Sequence, residues 1–133
     1  CTAEMAYKFS EGRALFASGS PFDPVTVDGK VFIPRQGNNS YVFPALGRAA
    51  TTVKAKTMPS GMFLAASREL ARLVSEDDLA HGSLYPALSD IRNISGKVAV
   101  AVAQYAYDHK LAQGEKPADL AKVIKDSMYI PHY

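Results

Sequence analysis

The sequence predicts an α/β domain that is mostly helical with a short sheet, and three observations carry that expectation. Residues Ile91 to Leu111 hold the longest helical apolar period of the chain, through Ile91, Ile94, Val98, Val102 and Tyr105. The compact apolar run Ala14-Leu15-Phe16-Ala17 closes on Ser18-Gly19-Ser20-Pro21, the pattern of a short buried strand running into a loop. Asp28-Gly29 stands between Val25-Thr26-Val27 and Val31-Phe32-Ile33, as in a tight hairpin.

Composition bounds the rest. With 47% hydrophobic and 21% charged residues, a chain of 133 residues is expected to be one soluble globular domain, neither disordered nor membrane-embedded. Fifteen basic against 13 acidic residues leave a net charge of +2, too balanced to argue for nucleic acid or an anionic membrane as partner. The single cysteine, Cys1, excludes an intramolecular disulfide framework and makes an intracellular setting the expectation. No apolar run approaches the roughly 20 residues of a membrane span, and no signal peptide is visible. The chain opens on Cys1 rather than methionine, so an upstream segment is expected.

In chain order, Thr2 to Phe9 reads as a helix, with Thr2 as cap, Glu4 in the first turn and Gly12 as a stop. The Ala14–Ala17 strand and the Val25–Pro34 hairpin follow. Asn38 or Asn39 is expected to cap a helix from Ser40 towards Val53, with Pro44 bending its first turns. Ser60 caps the next helix, whose predicted stripe is Phe63, Ser67, Leu70, Leu73 and Val74. Ser75 to Asp78 has the form of a capping box opening a short helix that ends near Gly82, and Leu84-Tyr85-Pro86 breaks the pattern. For Ile91–Leu111 the alternation of Val98, Val100 and Val102 also fits a strand, but length and alanine content favour helix. A last helix starts with Pro117 in its first turn and runs through Leu120, Val123, Ile124 and Met128 to a stop at Ile130-Pro131.

Most reactive residue types have ordinary explanations. His81, His109 and His132 lack ligand spacing and read as surface or helix-end histidines. Cys1 reads as an incidental thiol, and Asp77-Asp78 as first-turn helix charge. Two segments stand apart. Ser18-Gly19-Ser20 follows a strand, where an open α/β sheet places its ligand crevice. Gln36-Gly37-Asn38-Asn39 sets three side-chain amides around a glycine, able to donate to a carboxylate or accept from a hydroxyl, although turn and capping chemistry uses the same residues. Six basic residues and no acid lie between Gly29 and Arg68 (Lys30, Arg35, Arg48, Lys54, Lys56, Arg68), which fits a solvated basic face or attraction of a small anion.

Several spaced motifs, in one order, carry a family resemblance. They are Cys-Thr-Ala-Glu-Met-Ala-Tyr at 1–7, Glu-Gly-Arg-Ala-Leu-Phe-Ala-Ser-Gly-Ser-Pro-Phe at 11–22, and Pro34 followed by Gln36-Gly-Asn-Asn-Ser-Tyr-Val-Phe-Pro44. Leu84-Tyr85-Pro86, Ile91-Arg92 and Met128-Tyr129, Pro131 and Tyr133 continue the series. Over essentially its whole length, 1–133, the chain resembles the C-terminal part of the NAD(P)-binding domain of malic enzyme.

The resemblance implies the C-terminal portion of a Rossmann-like dinucleotide-binding domain, mostly helical with a short residual sheet. It implies a parent enzyme that oxidatively decarboxylates L-malate to pyruvate and CO2, reduces NAD or NADP, and uses Mg2+ or Mn2+. The tyrosine acid, lysine base, metal ligands and glycine-rich loop of that family lie upstream of the matched part, so the isolated chain is expected to be inactive. Asn38 matches the family asparagine that meets the malate carboxylate, and Asn39 would line the same pocket. Ser18, Gly19 and Ser20 would form a loop close to the cofactor. The remainder of the parent chain is the implied partner, within a homo-oligomer of the cytoplasm or mitochondrial matrix, without nucleic acid or membrane. Three departures are specific to this chain: Arg35 and Ala45 replace usual glycines, and Arg48, Lys54 and Lys56 charge a helix that is ordinarily apolar. Two other readings are a malolactic-type enzyme, converting malate to lactate with bound NAD, and a non-catalytic module that pairs through a strand edge at Leu15–Ala17.

Overall fold

A computed structural model of the chain describes residues 1–130. The expected stop at Pro131, His132, and the closing motif residues Pro131 and Tyr133 lie outside the described residues. The chain divides into two compact units, one made of Cys1–Asn38 and Ala71–Ser89, the other of Asn39–Leu70 and the chain from Asp90 onward.

The first unit is built on an aromatic core. Helix α1 (Ala3–Phe9) is capped as predicted, the Thr2 hydroxyl accepting from the Met5 N–H. Ala3 and Tyr7 lie one turn apart and are fully buried, so α1 points a single stripe inward. Tyr7 stacks on Phe32 at 4.2 Å between ring centroids, and meets the edge of Phe16 at 6.1 Å. The hairpin forms as expected, from β2 (Val25–Val27) and β3 (Lys30–Phe32) in antiparallel register. Asp28 and Gly29 take φ of 50° and 78°, the left-handed pair that a two-residue hairpin loop requires.

The expected strand at Ala14–Ala17 is displaced. Strand β1 is Ala17–Ser18, paired in parallel with β4 (Arg35–Gln36), with Ala17 opposite Arg35 and Ser18 opposite Gln36. Ala14 and Phe16 pack against the aromatic core while Leu15 between them is 74% exposed. The run therefore alternates along an extended chain instead of burying both faces, and ladder pairing begins where β4 supplies a partner.

Helix α4 (Glu76–Ala80) opens on the predicted capping box: the Ser75 hydroxyl accepts from the Asp78 N–H and the Asp78 carboxylate accepts from the Ser75 N–H. Three links join this segment to the strands. The Ile33 N–H donates to the His81 carbonyl at 2.9 Å, the Ser83 hydroxyl donates to the Ile33 carbonyl at 2.6 Å, and Arg35 pairs with Asp78 at 3.3 Å.

The second unit is helical. A 3-10 turn (Asn39–Tyr41) precedes α2 (Phe43–Thr52), whose cap position is Val42 with no side-chain cap. Asn38 and Asn39 therefore do not cap this helix, and Pro44 lies in its first turn, where a missing N–H costs nothing, rather than bending it. Helix α5 (Ile91–Asp108) ends three residues before the expected Leu111, with Lys110 left-handed at φ 57° and the Leu111 N–H returning to the Ala106 carbonyl. α2 packs on α5. Ala45 and Ala49 on one, and Ala99, Ala103 and Ala106 on the other, are all buried, and such small side chains let helices approach closely.

Helix α3 (Ser60–Arg72) buries Met62, Ala66 and Leu70, whereas Phe63 and Ser67 of the predicted stripe are exposed. The true face lies one residue back, because two apolar stripes run along this helix and periodicity alone does not choose between them. Ser60 is its first residue rather than a cap preceding it. The last helix, α6 (Leu120–Asp126), starts at an Asp119 cap whose carboxylate accepts from the Lys122 N–H at 2.8 Å, so Pro117 and Met128 lie outside it. Of the family departures, Ala45 is buried and the Arg48 guanidinium donates to the Ser127 carbonyl at the end of α6. Of the three charges expected on this helix only Arg48 lies on it; Lys54 and Lys56 follow its end at Thr52, where Lys54 has already turned left-handed at φ 52°.

Candidate functional site

The two segments singled out in the sequence meet in the first unit. Because β1 and β4 run parallel, Ser18 and Gln36 end their strands side by side, and Gly19 and Gly37 follow them on the same edge. The Gly37 N–H donates to the Ser18 carbonyl at 2.8 Å, extending the ladder past the last paired residues. This edge is the carboxyl end of a parallel strand pair, where α/β sheets place their ligands.

Side-chain amides join the two loops. Gln36 Nε2 donates to the Gly19 carbonyl at 2.8 Å, and Asn38 Nδ2 donates to Gln36 Oε1 at 3.1 Å. Asn38 is half-buried; Asn39, next in the chain, is exposed and opens the 3-10 turn of the second unit. Ser20 is exposed, its backbone N–H donating to the Ser18 hydroxyl at 3.2 Å in a local turn. A Cβ placed on Gly19 would meet nothing within 4 Å, so this loop faces open space, whereas one on Gly37 would lie 3.6 Å from the Tyr85 hydroxyl. A glycine before open space leaves the backbone there open to approach. Sequence reasoning grouped Gln36 with Asn38 and Asn39 as one of three amides at this glycine; its bond to the Gly19 carbonyl, 17 residues away, was not legible there.

The base of β4 is held electrostatically. The Asp78 carboxylate loses solvation by burial, yet hydrogen bonds from the Ser75 hydroxyl and N–H, together with Arg35, hold its carboxyl below the usual range. The remaining candidates have structural uses. His81 and His109 turn Nδ1 to carbonyls of their own helices, those of Asp77 and Tyr105. Within the basic tract, Lys30 lies 4.9 Å over the Phe32 ring, Arg35 pairs with Asp78, and Arg48 donates to the Ser127 carbonyl. Among the described residues no group of three His, Cys, Asp or Glu is placed to hold a metal ion. Among them, too, no helix is long and apolar enough to cross a membrane.

A parallel strand pair with glycine- and amide-bearing loops at its carboxyl ends is the arrangement in which α/β domains place their ligands. The family model described as malic enzyme, NAD binding domain, matches residues 1–107, and this chain belongs to that family. Over its full length it is 44% identical to the NADP-dependent malic enzyme of Dictyostelium discoideum and 48% identical to that of Phaseolus vulgaris, covering 24% and 23% of those proteins. It is 45% identical to the mitochondrial NADP-dependent malic enzyme of Homo sapiens, covering 22% of it. The chain therefore spans about a quarter of the length of the curated relatives it matches.

Proposed function

We propose that residues 1–133 form the C-terminal part of the NAD(P)-binding domain of a malic enzyme that converts L-malate to pyruvate and CO2 while reducing NAD or NADP. The observation that carries this reading is the meeting of Ser18-Gly19 with Gln36–Asn38 at the carboxyl ends of β1 and β4. In this reading Asn38 donates to a malate carboxylate, Asn39 lines the same pocket, and Ser18, Gly19 and Ser20 border the cofactor. The cofactor takes up the hydride when bound. The chain's own contribution is to hold the substrate carbon in line with it, and positioning of this kind is a large part of many rate enhancements.

The general acid, the general base and the metal ligands belong to the remainder of the parent chain, which is the first partner of this segment. Phe9, 84% exposed opposite the buried face of α1, and Leu15 are apolar surface such a partner would cover. Assembly as a homo-oligomer, in the cytoplasm or mitochondrial matrix, completes the reading. The names of the relatives favour NADP over NAD.

The test is kinetic. The full-length protein should produce pyruvate and NADPH or NADH from L-malate, the isolated 133-residue chain should not, and Asn38→Ala should lower kcat/KM for malate by roughly 10–100-fold, the loss of a hydrogen bond to a charged group. Turnover by the isolated chain, or unchanged kinetics in Asn38→Ala, would refute it.

A further inference from the structure

We propose that Gln36 is a positioning residue that sets which way the Asn38 carboxamide faces, carrying the polarity of a backbone carbonyl into the substrate site. The proposal rests on the reading of Asn38 as a malate ligand.

The argument begins at Gly19. Its carbonyl oxygen can only accept, so the group facing it at 2.8 Å must be the nitrogen of the Gln36 amide. That choice turns Gln36 Oε1 towards Asn38, and an oxygen there selects the Asn38 nitrogen, 3.1 Å away. Flipping the Gln36 amide would set oxygen against oxygen at Gly19 and nitrogen against nitrogen at Asn38, losing both bonds. One Nδ2 hydrogen of Asn38 is thereby held on Gln36, which leaves the second to donate to the malate carboxylate.

The anchor does not drift. Ser18 and Gln36 are register partners, and the Gly37 N–H closes on the Ser18 carbonyl at 2.8 Å, so the backbone is tied at the base of the relay. A relay ending on a backbone carbonyl thus fixes which atom of the Asn38 amide meets Gln36.

The experiment is a double-mutant cycle in the full-length enzyme, read as kcat and KM for malate. Gln36→Met, similar in length but unable to relay, should lower kcat/KM by roughly 10-fold, the scale of one lost hydrogen bond in a half-buried site. Combined with Asn38→Ala it should lose little more than the larger single change, because both act through one side chain. Gln36→Glu separates positioning from packing. Its ionised carboxylate cannot donate to Gly19, but its neutral acid offers one donor and one acceptor as the amide does. Its deficit relative to the parent should therefore narrow several-fold as pH falls from about 8 towards the carboxyl range, while that of Gln36→Met stays constant. Additive losses, a pH-independent Gln36→Glu deficit, or parent-like kinetics in both Gln36 variants would overturn the proposal. Unchanged kinetics in Asn38→Ala would remove the ligand reading itself, a failure distinct from intact Asn38 dependence without Gln36 coupling. Should Gln36→Glu not fold, the cycle with Gln36→Met decides alone.

Discussion

Arg35 on β4 reaches Asp78 on α4, 43 residues further along the chain, with Nη2 3.3 Å from Oδ1. Both side chains are mostly buried, at 28% and 18% exposure, so this pair escapes much of the screening that makes surface ion pairs weak. The same carboxylate closes the Ser75 capping box, so one side chain serves both the helix start and the strand that carries Gln36.

Asp78→Asn is accordingly expected to destabilise the chain by about 1–2 kcal/mol at neutral pH, the scale of a lost cap together with a partly buried pair. The sign follows from its lowered pKa: the folded state favours the ionised form, so the stabilisation is complete above the ordinary carboxyl range. It is lost as pH falls through the lowered folded value. Urea denaturation of parent and variant at neutral and acidic pH should show the two curves converging in acid.

Phe32 is wedged between two glycines. A Cβ on Gly12 would lie 3.1 Å from its ring and one on Gly82 3.2 Å, and both glycines are left-handed, at φ of 73° and 72°. Gly29 has the same kind of φ, 78°, but a Cβ there meets nothing within 4 Å. Alanine at Gly29 should cost about 1–2 kcal/mol from backbone conformation alone. Gly82→Ala should cost about 1 kcal/mol or more beyond that, because the stacked Tyr7–Phe32 pair must also shift. Equal losses in thermal denaturation would contradict the wedge.

In the second unit, Gly61 on α3 faces Tyr105 on α5, and an added Cβ would fall 1.9 Å from the tyrosine hydroxyl oxygen and 2.3 Å from its Cζ. Tyr105 is itself stacked on His109 at 3.8 Å. Gly61→Ala should therefore destabilise by about 1–3 kcal/mol through overpacking. In a Tyr105→Ala background the same change should cost little, since alanine is the better helix former. A cost that persists there would place the clash elsewhere.

Gly19 offers a test in which stability and function part. Its φ lies outside the left-handed region and a Cβ would meet nothing within 4 Å, so Gly19→Ala should leave stability within about 0.5 kcal/mol of the parent. If the cofactor passes this loop as proposed, the full-length variant should show a raised KM for NADP or NAD with an unchanged thermal midpoint. An unchanged KM would move the cofactor away from Gly19.

The features readable in the sequence were those whose determinants lie within one turn of each other. The Asp28-Gly29 hairpin, the Ser75–Asp78 capping box and the Thr2 cap each need only two to four adjacent residues, and each forms as expected. Helix α5 was legible because its buried residues repeat from Ile94 to Ala106. The ordered motifs likewise led to the family that the comparison with residues 1–107 establishes.

What the sequence by itself determined, then, was local conformation, the predominance of helix over strand and the family, because capping, turn chemistry and apolar period are short-range properties. Tertiary structure decided the rest. It moved the first strand to Ala17–Ser18, because a strand needs a partner and that partner is Arg35–Gln36. It chose Met62 and Ala66 over Phe63 and Ser67 to join the expected Leu70 in the buried face of α3, because only packing distinguishes the two stripes. It brought Gln36 to the Gly19 carbonyl, since a hydrogen bond between residues 17 apart exists only once the parallel strands have set their register.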